Sequence, residues 1–209
     1  GCHIMIYLSG RMVSNNEIGV MLSFNANNFT YQHFTSTRKG KDYFWAMDNG
    51  CFSQPNKYSD ALYIDHLKSV NDTSALFAVA PDVLEDHEAT KQRSLPMLKS
   101  IRDLGYKAAY VIQDGETVNS VCWDELDCIF IGGSTKYKLS QDAEVIAKQA
   151  KLKNKWVHMG RVNTWTRFKN AQFMGCDSAD GNCIAFAPEI NTNLVLSWLE
   201  KLRTQPFLM

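Results

Sequence analysis

A chain of 209 residues with 45% hydrophobic and 21% charged side chains has ordinary globular composition and enough apolar material for one sizeable core. Its 22 basic and 22 acidic residues cancel, so no global field draws it to a polyanion or a membrane surface, and any polyanion must be held by a local patch. No run reaches the roughly eighteen apolar residues of a membrane span, and the N-terminus lacks a charged-then-apolar signal, so a soluble cytoplasmic protein is expected.

Six cysteines (Cys2, Cys51, Cys122, Cys128, Cys176, Cys183) are scattered without a Cys-x-x-Cys pair. Reduced thiols are expected, with neither a disulfide framework nor a zinc site. Residues 1–4 precede Met5 and read as an expression-vector remnant, leaving residues 5–209 as a single domain. Along the chain, apolar or β-branched runs predict eight strands: Ile6–Leu8, Tyr43–Met47, Leu76–Ala80, Ala108–Ile112, Cys128–Ile131, Trp156–Met159, Phe173–Cys176 and Cys183–Phe186. Most are continuous hydrophobic runs, the pattern of parallel strands covered on both faces.

The intervening stretches carry helical spacing. Residues 60–70 align Leu62, Ile64, Leu67 and Val70, and residues 85–104 align Leu95, Leu98, Ile101 and Leu104 before Gly105 stops them. Pro96 is expected to kink or divide the second helix. Ser140 reads as an N-cap, with Asp142 in the first turn of a helix facing Ala143, Ile146, Ala147 and Ala150 inward. A last helix spans 190–203, carrying Leu194, Leu196, Trp198, Leu199 and Leu202. Repeated strand-then-helix order predicts an α/β fold, and eight strands in one domain fit a compact (β/α)₈ barrel better than an open sheet.

In such barrels, chemistry sits on loops leaving the C-terminal strand ends. Reading past each run gives Asp48-Asn49-Gly50-Cys51-Phe52, Asp82, Gln113-Asp114-Gly115, Gly132-Gly133, Gly160-Arg161 and Asp177. Each has a bland reading: Asp48-Asn49-Gly50 as a turn, Asp82 as a helix cap, Gln113-Asp114-Gly115 as a loop, the glycine pair as a tight turn. His158 reads more readily as a satisfied core histidine than as a catalytic one. What favours a site is that all these groups fall at the same end of successive strands.

Taken in order, "DNGCF", "APDV", "VIQDG", "FIGGS", "HMGRV" and "GCDSADG" resemble the tRNA-guanine transglycosylase superfamily, and more closely its small DNA-acting branch, the 7-deazaguanine DNA transglycosylases. The resemblance implies a barrel that exchanges or excises a base at the N-glycosidic bond. It implies that Asp177 is the nucleophile and that Asp48 transfers protons. Asp82, Gln113, Gly132 and Gly133 would grip a guanine-like base. The nucleophile assignment requires Asp177 to face the cavity shared by Asp48 and Gln113, and Asp180 then stands as an extra acid nearby. The partners implied are DNA, with the target nucleotide flipped from the stack, and a free 7-deazaguanine. The alternative is a glycosylase that leaves an abasic site, as in defence against phage with modified bases.

The Cys-x-Cys-x-x-Cys…His zinc site of the tRNA-acting enzymes is missing after Asp177. DNA rather than tRNA is therefore expected, with no metal and no cofactor. Arg161, Lys136, Lys138 and Arg167 are the leading phosphate contacts, with Arg38, Lys39, Lys41 and Lys169 as further members of a basic footprint. Two readings from other classes stand beside this one: a non-catalytic nucleic-acid-binding barrel, and a barrel enzyme for small phosphorylated metabolites.

Overall fold

A computed structural model describes residues 4–205. Three of the four residues read as a vector remnant, Cys2 among them, lie outside the described residues, as do positions 206–209. Eight parallel strands close into a barrel in chain order: β1 (Ile6–Ser9), β2 (Ile18–Ser23), β3 (Trp45–Asp48), β4 (Ala78–Val79), β5 (Ala108–Ile112), β6 (Cys128–Ile131), β7 (Trp156–Met159) and β8 (Ser178–Gly181). Closure is made by β8 pairing with β1, where Leu8 stands beside Asp180. Among the described residues, eight α-helices complete the fold: α1 (Tyr31–Arg38), α2 (Asp60–Val70), α3 (His87–Asp103), α4 (Thr135–Lys138), α5 (Gln141–Leu152), α6 (Trp165–Phe173), α7 (Cys183–Phe186) and α8 (Pro188–Thr204). The expected α/β (β/α)₈ barrel is the observed fold, a single compact domain.

The continuous apolar runs follow from burial on both faces. All five residues of β5 are buried: Ala109 and Val111 belong to the cluster inside the barrel, together with Leu8, Phe77, Val79 and Cys128, while Tyr110 and Ile112 join the larger cluster beneath the helices. Trp198 of α8 packs on Phe168 of α6 and Tyr7 of β1, securing the last helix to the barrel's closing seam.

Six strands fall where the apolar runs place them, and two do not. Phe173 is the last residue of α6, after which Gly175 turns the chain at φ +86°. Residues 183–186 form α7, a helix. The remaining strands are Ile18–Ser23 and Ser178–Gly181. The second has small and polar residues with little intrinsic strand preference; tertiary pairing to both β7 and β1 makes it a strand. The first is interrupted by Gly19, where a Cβ would lie 2.5 Å from the Phe44 carbonyl oxygen.

Helix α3 runs through Pro96 undivided, because Met97, Leu98 and Ile101 on its buried face hold it to the barrel. Ser140 caps α5 as expected, accepting the Ala143 N–H at 3.2 Å, and Ala143, Ile146, Ala147 and Ala150 are buried. Leu62 and Leu194, by contrast, face solvent. Among the described residues, no helix is long and apolar enough to cross a membrane.

Candidate active site at the C-terminal mouth

The shifted position of β8 decides which acid reaches the mouth. Asp177 precedes the strand and therefore lies at the floor of the barrel, where it is 3% exposed. Both its carboxylate oxygens accept from Lys151 Nζ, at 2.8 and 2.6 Å, and Oδ2 also accepts the Val157 N–H at 2.8 Å. Its own backbone bonds Val157 and Ile6. The assignment of Asp177 as the nucleophile is thereby overturned: it faces away from the cavity of Asp48 and Gln113 and ties α5, β7 and β1 together. The acid at the other end of the same strand is Asp180, and it lines that cavity.

Alternation along β7 and β8 aims Trp156, His158, Ser178 and Asp180 into the barrel. They form one hydrogen-bonded chain. Trp156 Nε1–H donates to Ser178 Oγ at 2.8 Å, Ser178 Oγ meets His158 Nδ1 at 2.7 Å, and His158 Nε2 meets Asp180 Oδ2 at 2.6 Å. A carboxylate only accepts, so Nε2–H donates to Asp180; in the neutral ring Nδ1 then accepts the Ser178 proton, while Ser178 Oγ accepts from the indole, which can only donate. Phe77 and Phe130 pack against the imidazole, with ring centroids 5.0 and 4.6 Å away. His158 is fully buried, but its bonds serve the site rather than the core.

Asp48 ends β3 and lines the same cavity as Asp180. Burial first, then the neighbouring charges of Asp82 and Asp180, push its carboxyl up to about 7, against opposing bonds from the Asn49 and Gly50 amides. Asp82, also raised by burial, accepts Asn49 Nδ2 and Gln113 Nε2, each at 2.8 Å. It caps no helix; that task falls to Asp86. Gln113 Oε1 accepts the Glu85 N–H at 2.9 Å, so the carboxamide orients Asp82 and keeps one Nε2 hydrogen for a ligand.

Gly132 and Gly133 form the cavity wall above β6. A Cβ on Gly132 would come within 2.6 Å of Val111, and Gly133 holds φ +84° with Asp114 Oδ1 2.6 Å from where a Cβ would stand. Asp114 fixes this loop by accepting the Ser134 amide and hydroxyl at 2.8 and 2.6 Å. Burial acts to raise its carboxyl, but these bonds outweigh it and hold Asp114 below the usual range.

The basic residues divide. Arg161, at φ +57°, gives its N–H to Asp180 Oδ1 at 3.3 Å and a guanidinium N–H to the Gly133 carbonyl. Lys138 is buried rather than on the surface, donating to the Gly160 carbonyl at 2.9 Å, and burial followed by the charges of Arg161 and Arg167 pushes it down to about 8. Lys136 is exposed and stands apart from this group. Arg38 ends α1, and Lys39 and Lys41 lie on the loop entering β3; all three are at the floor and cannot share a footprint with the mouth.

Two cavities meet at the acids. One, of about 180 Å³, is a slot between apolar Val79, Val111 and Phe130, with Asp82, Gln113 and the glycine pair along its edge and exposed Phe52 at its rim. The other, of about 350 Å³, is lined by Ser23, Ser53, Asn163 and Asn182. Asp48, Asp180 and Arg161 border both. Sequence reading took Asp180 only as an extra acid; its place at the mouth follows from its position three residues after Asp177, near the end of β8. Among the described residues, no group of three or more His, Cys, Asp or Glu could hold a metal ion.

No protein-family model and no curated protein matches the chain. Among solved structures it is similar to tryptophan synthase from M. tuberculosis, at 11% identity and TM-score 0.51, covering 84% of this chain and 68% of that one. It is also similar to a structure described as an isomerase from Sinorhizobium meliloti, at 15% identity and TM-score 0.54, covering 88% of this chain and 52% of that one. The chain thus spans about half the length of the second neighbour. At these identities the likeness establishes the shared barrel fold.

Proposed function

We propose that the chain cleaves the N-glycosidic bond of a nucleotide in DNA, with Asp180 as nucleophile and Asp48 as proton donor. The observation that carries this reading is that two carboxylates stand at the boundary of two cavities. One cavity is an apolar pocket with polar groups on its lining, suited to a heterocycle. The other is a wider chamber lined by hydroxyl and amide side chains, suited to the sugar. A bond joining heterocycle to sugar would lie between Asp48 and Asp180.

Breaking that bond builds positive charge on the sugar and negative charge on the base. Asp180 bonds to the anomeric carbon as the carbon–nitrogen bond breaks, the bonding pair passes to the base nitrogen, and Asp48 supplies the proton that neutralises it. Holding Asp48 near 7 while His158 orients Asp180 gives the two carboxyls separate duties. Asp82, the free Nε2 hydrogen of Gln113 and the Gly132-Gly133 backbone then address the edge of a guanine-like base. The glycosyl ester on Asp180 is resolved by attack of a free 7-deazaguanine, completing exchange, or by water, completing excision; either returns a proton to Asp48.

Mass spectrometry of the protein mixed with DNA tests the reading. A released base and a sugar adduct on the protein are expected, both disappearing in Asp180→Asn and persisting in Asp177→Asn. Base release that survives Asp180→Asn unchanged overturns the assignment. Alkali-labile sites without added base identify excision, and their suppression by free 7-deazaguanine identifies exchange.

A further inference from the structure

We propose that the cavity between the loops following β6 and β7 is a subsite for one phosphate group of the nucleotide whose base enters the neighbouring slot. Thr135, Lys138, Arg161, Asn163, Thr164 and Arg167 line this space of about 190 Å³, and no carboxylate is among them. The inference rests on the glycosidic reading for the identity of the nucleotide, though not for the presence of the anion site.

Three cations converge here, and none of them forms an ion pair among the described residues. Lys138 is only 3% exposed and spends one of its three N–H bonds on the Gly160 carbonyl. A buried ammonium without a counter-charge is costly to hold. Arg167 is kept in place by long contacts of 3.5 Å from both terminal nitrogens to the Thr135 hydroxyl. Arg161 touches only a backbone carbonyl through its guanidinium. The arrangement therefore offers several unused N–H donors around a space whose lining holds no carboxylate, the requirement for a tetrahedral oxyanion. Burial first, then repulsion by the two arginines, lowers the affinity of Lys138 for its proton against the opposing pull of Asp180, and an anion seated among the three cations would counter the effect.

Placement specifies which phosphate this is. Arg161 borders the slot, the chamber and this subsite, so a phosphate held here is one side chain away from the acids at the glycosidic carbon. That is the relation between a nucleotide's sugar and an adjoining phosphate. A phosphodiester within a strand is the proposed occupant; a terminal phosphate monoester has the same chemistry and is separated from it by experiment.

Inorganic phosphate is titrated into the intact protein by calorimetry, against chloride at matched ionic strength. Saturable binding is expected, weakened at least tenfold in Arg167→Gln, a half-buried position whose substitution leaves the core intact, and not weakened in Asp180→Asn, which removes a nearby negative charge. Oligonucleotides with one uncharged methylphosphonate next to the target nucleoside are expected to bind the native protein about tenfold more weakly than unmodified DNA, and Arg167→Gln is expected to be indifferent to the change. Absence of saturable phosphate binding, or an Arg167→Gln protein that binds phosphate as the native one does, overturns the subsite. Tighter binding of a deoxynucleoside monophosphate than of the oligonucleotide overturns the strand assignment. If phosphate binds as stated but no base is ever released from DNA, the glycosidic reading fails while the anion site stands.

Discussion

One acid stands just before strand β8 and another near its far end, and the two live in different worlds. Asp177, at the floor, has an ammonium and a backbone N–H bonded to its carboxylate and almost no exposure. Asp180, roughly 10 Å further along the strand at ~3.3 Å per residue, meets an imidazole on one oxygen and a long amide contact on the other, beside open space. The same residue type serves cohesion where every bond is made within the fold, and is available for chemistry where one face is left to a ligand. Floor residues of barrels hold the fold; mouth residues act.

Substitutions at the two ends put this contrast at risk. The largest effect is expected from Asp180→Asn: base release falls by at least about a thousandfold, with the melting temperature little changed. Next is Asp48→Asn, which removes the proton donor and lowers the rate by roughly two to three orders of magnitude, read from single-turnover kinetics. The pH profile sharpens the point. Because the Asp48 carboxyl is raised to about 7, the donor is present below that pH, and the rate is expected to decline as pH rises through it.

Linkage runs the same way for stability. A group that gains a proton on folding favours the fold at low pH and ceases to do so as pH rises through 7. Asp48→Asn is therefore expected to melt higher relative to the native protein at pH 8 than at pH 5. Asp177→Ala should show the opposite phenotype to Asp180→Asn. It is expected to cost about 2–3 kcal/mol in denaturant unfolding, through the lost charged bonds and the Val157 N–H left without that acceptor, while activity per folded molecule changes only a few-fold. The smallest effect is expected at Ser178→Ala: about a tenfold loss of rate through a less firmly oriented His158, accompanied by an altered pH profile that a purely structural role would not produce. Equal loss of activity at both ends of β8 would erase the distinction between them.

Much of the barrel was legible because a parallel strand covered on both faces must be apolar throughout; β5 and β6 announce themselves in this way. Ser178-Ala179-Asp180-Gly181 does not, since its strand character comes from neighbours on both sides rather than from its own side chains. The apolar Phe173-Met174-Gly175-Cys176 segment drew the strand to the wrong place, and with it the wrong acid to the mouth. That displacement of a few residues exchanges the two ends of a strand, while the total of eight survives because Ile18–Ser23 was missed and Cys183–Phe186 was misread. Asp48, Asp82, Gln113, Gly132 and Gly133 line the mouth cavity as the sequence places them, because each ends or follows a strand whose position was read correctly. The burial of Lys138 had no local signal, as it depends on how α4 seats against the loop after β7.

The chain of bonds from Asp180 back to the Trp156 indole gives the molecule an optical window on its own interior. On the proposed mechanism, an ester on Asp180 would remove the charge that His158 faces, and the change would pass through Ser178 to the nitrogen of a chromophore. A difference in tryptophan emission on reaction, lost in Trp156→Phe, would let the covalent state be followed in real time without any label.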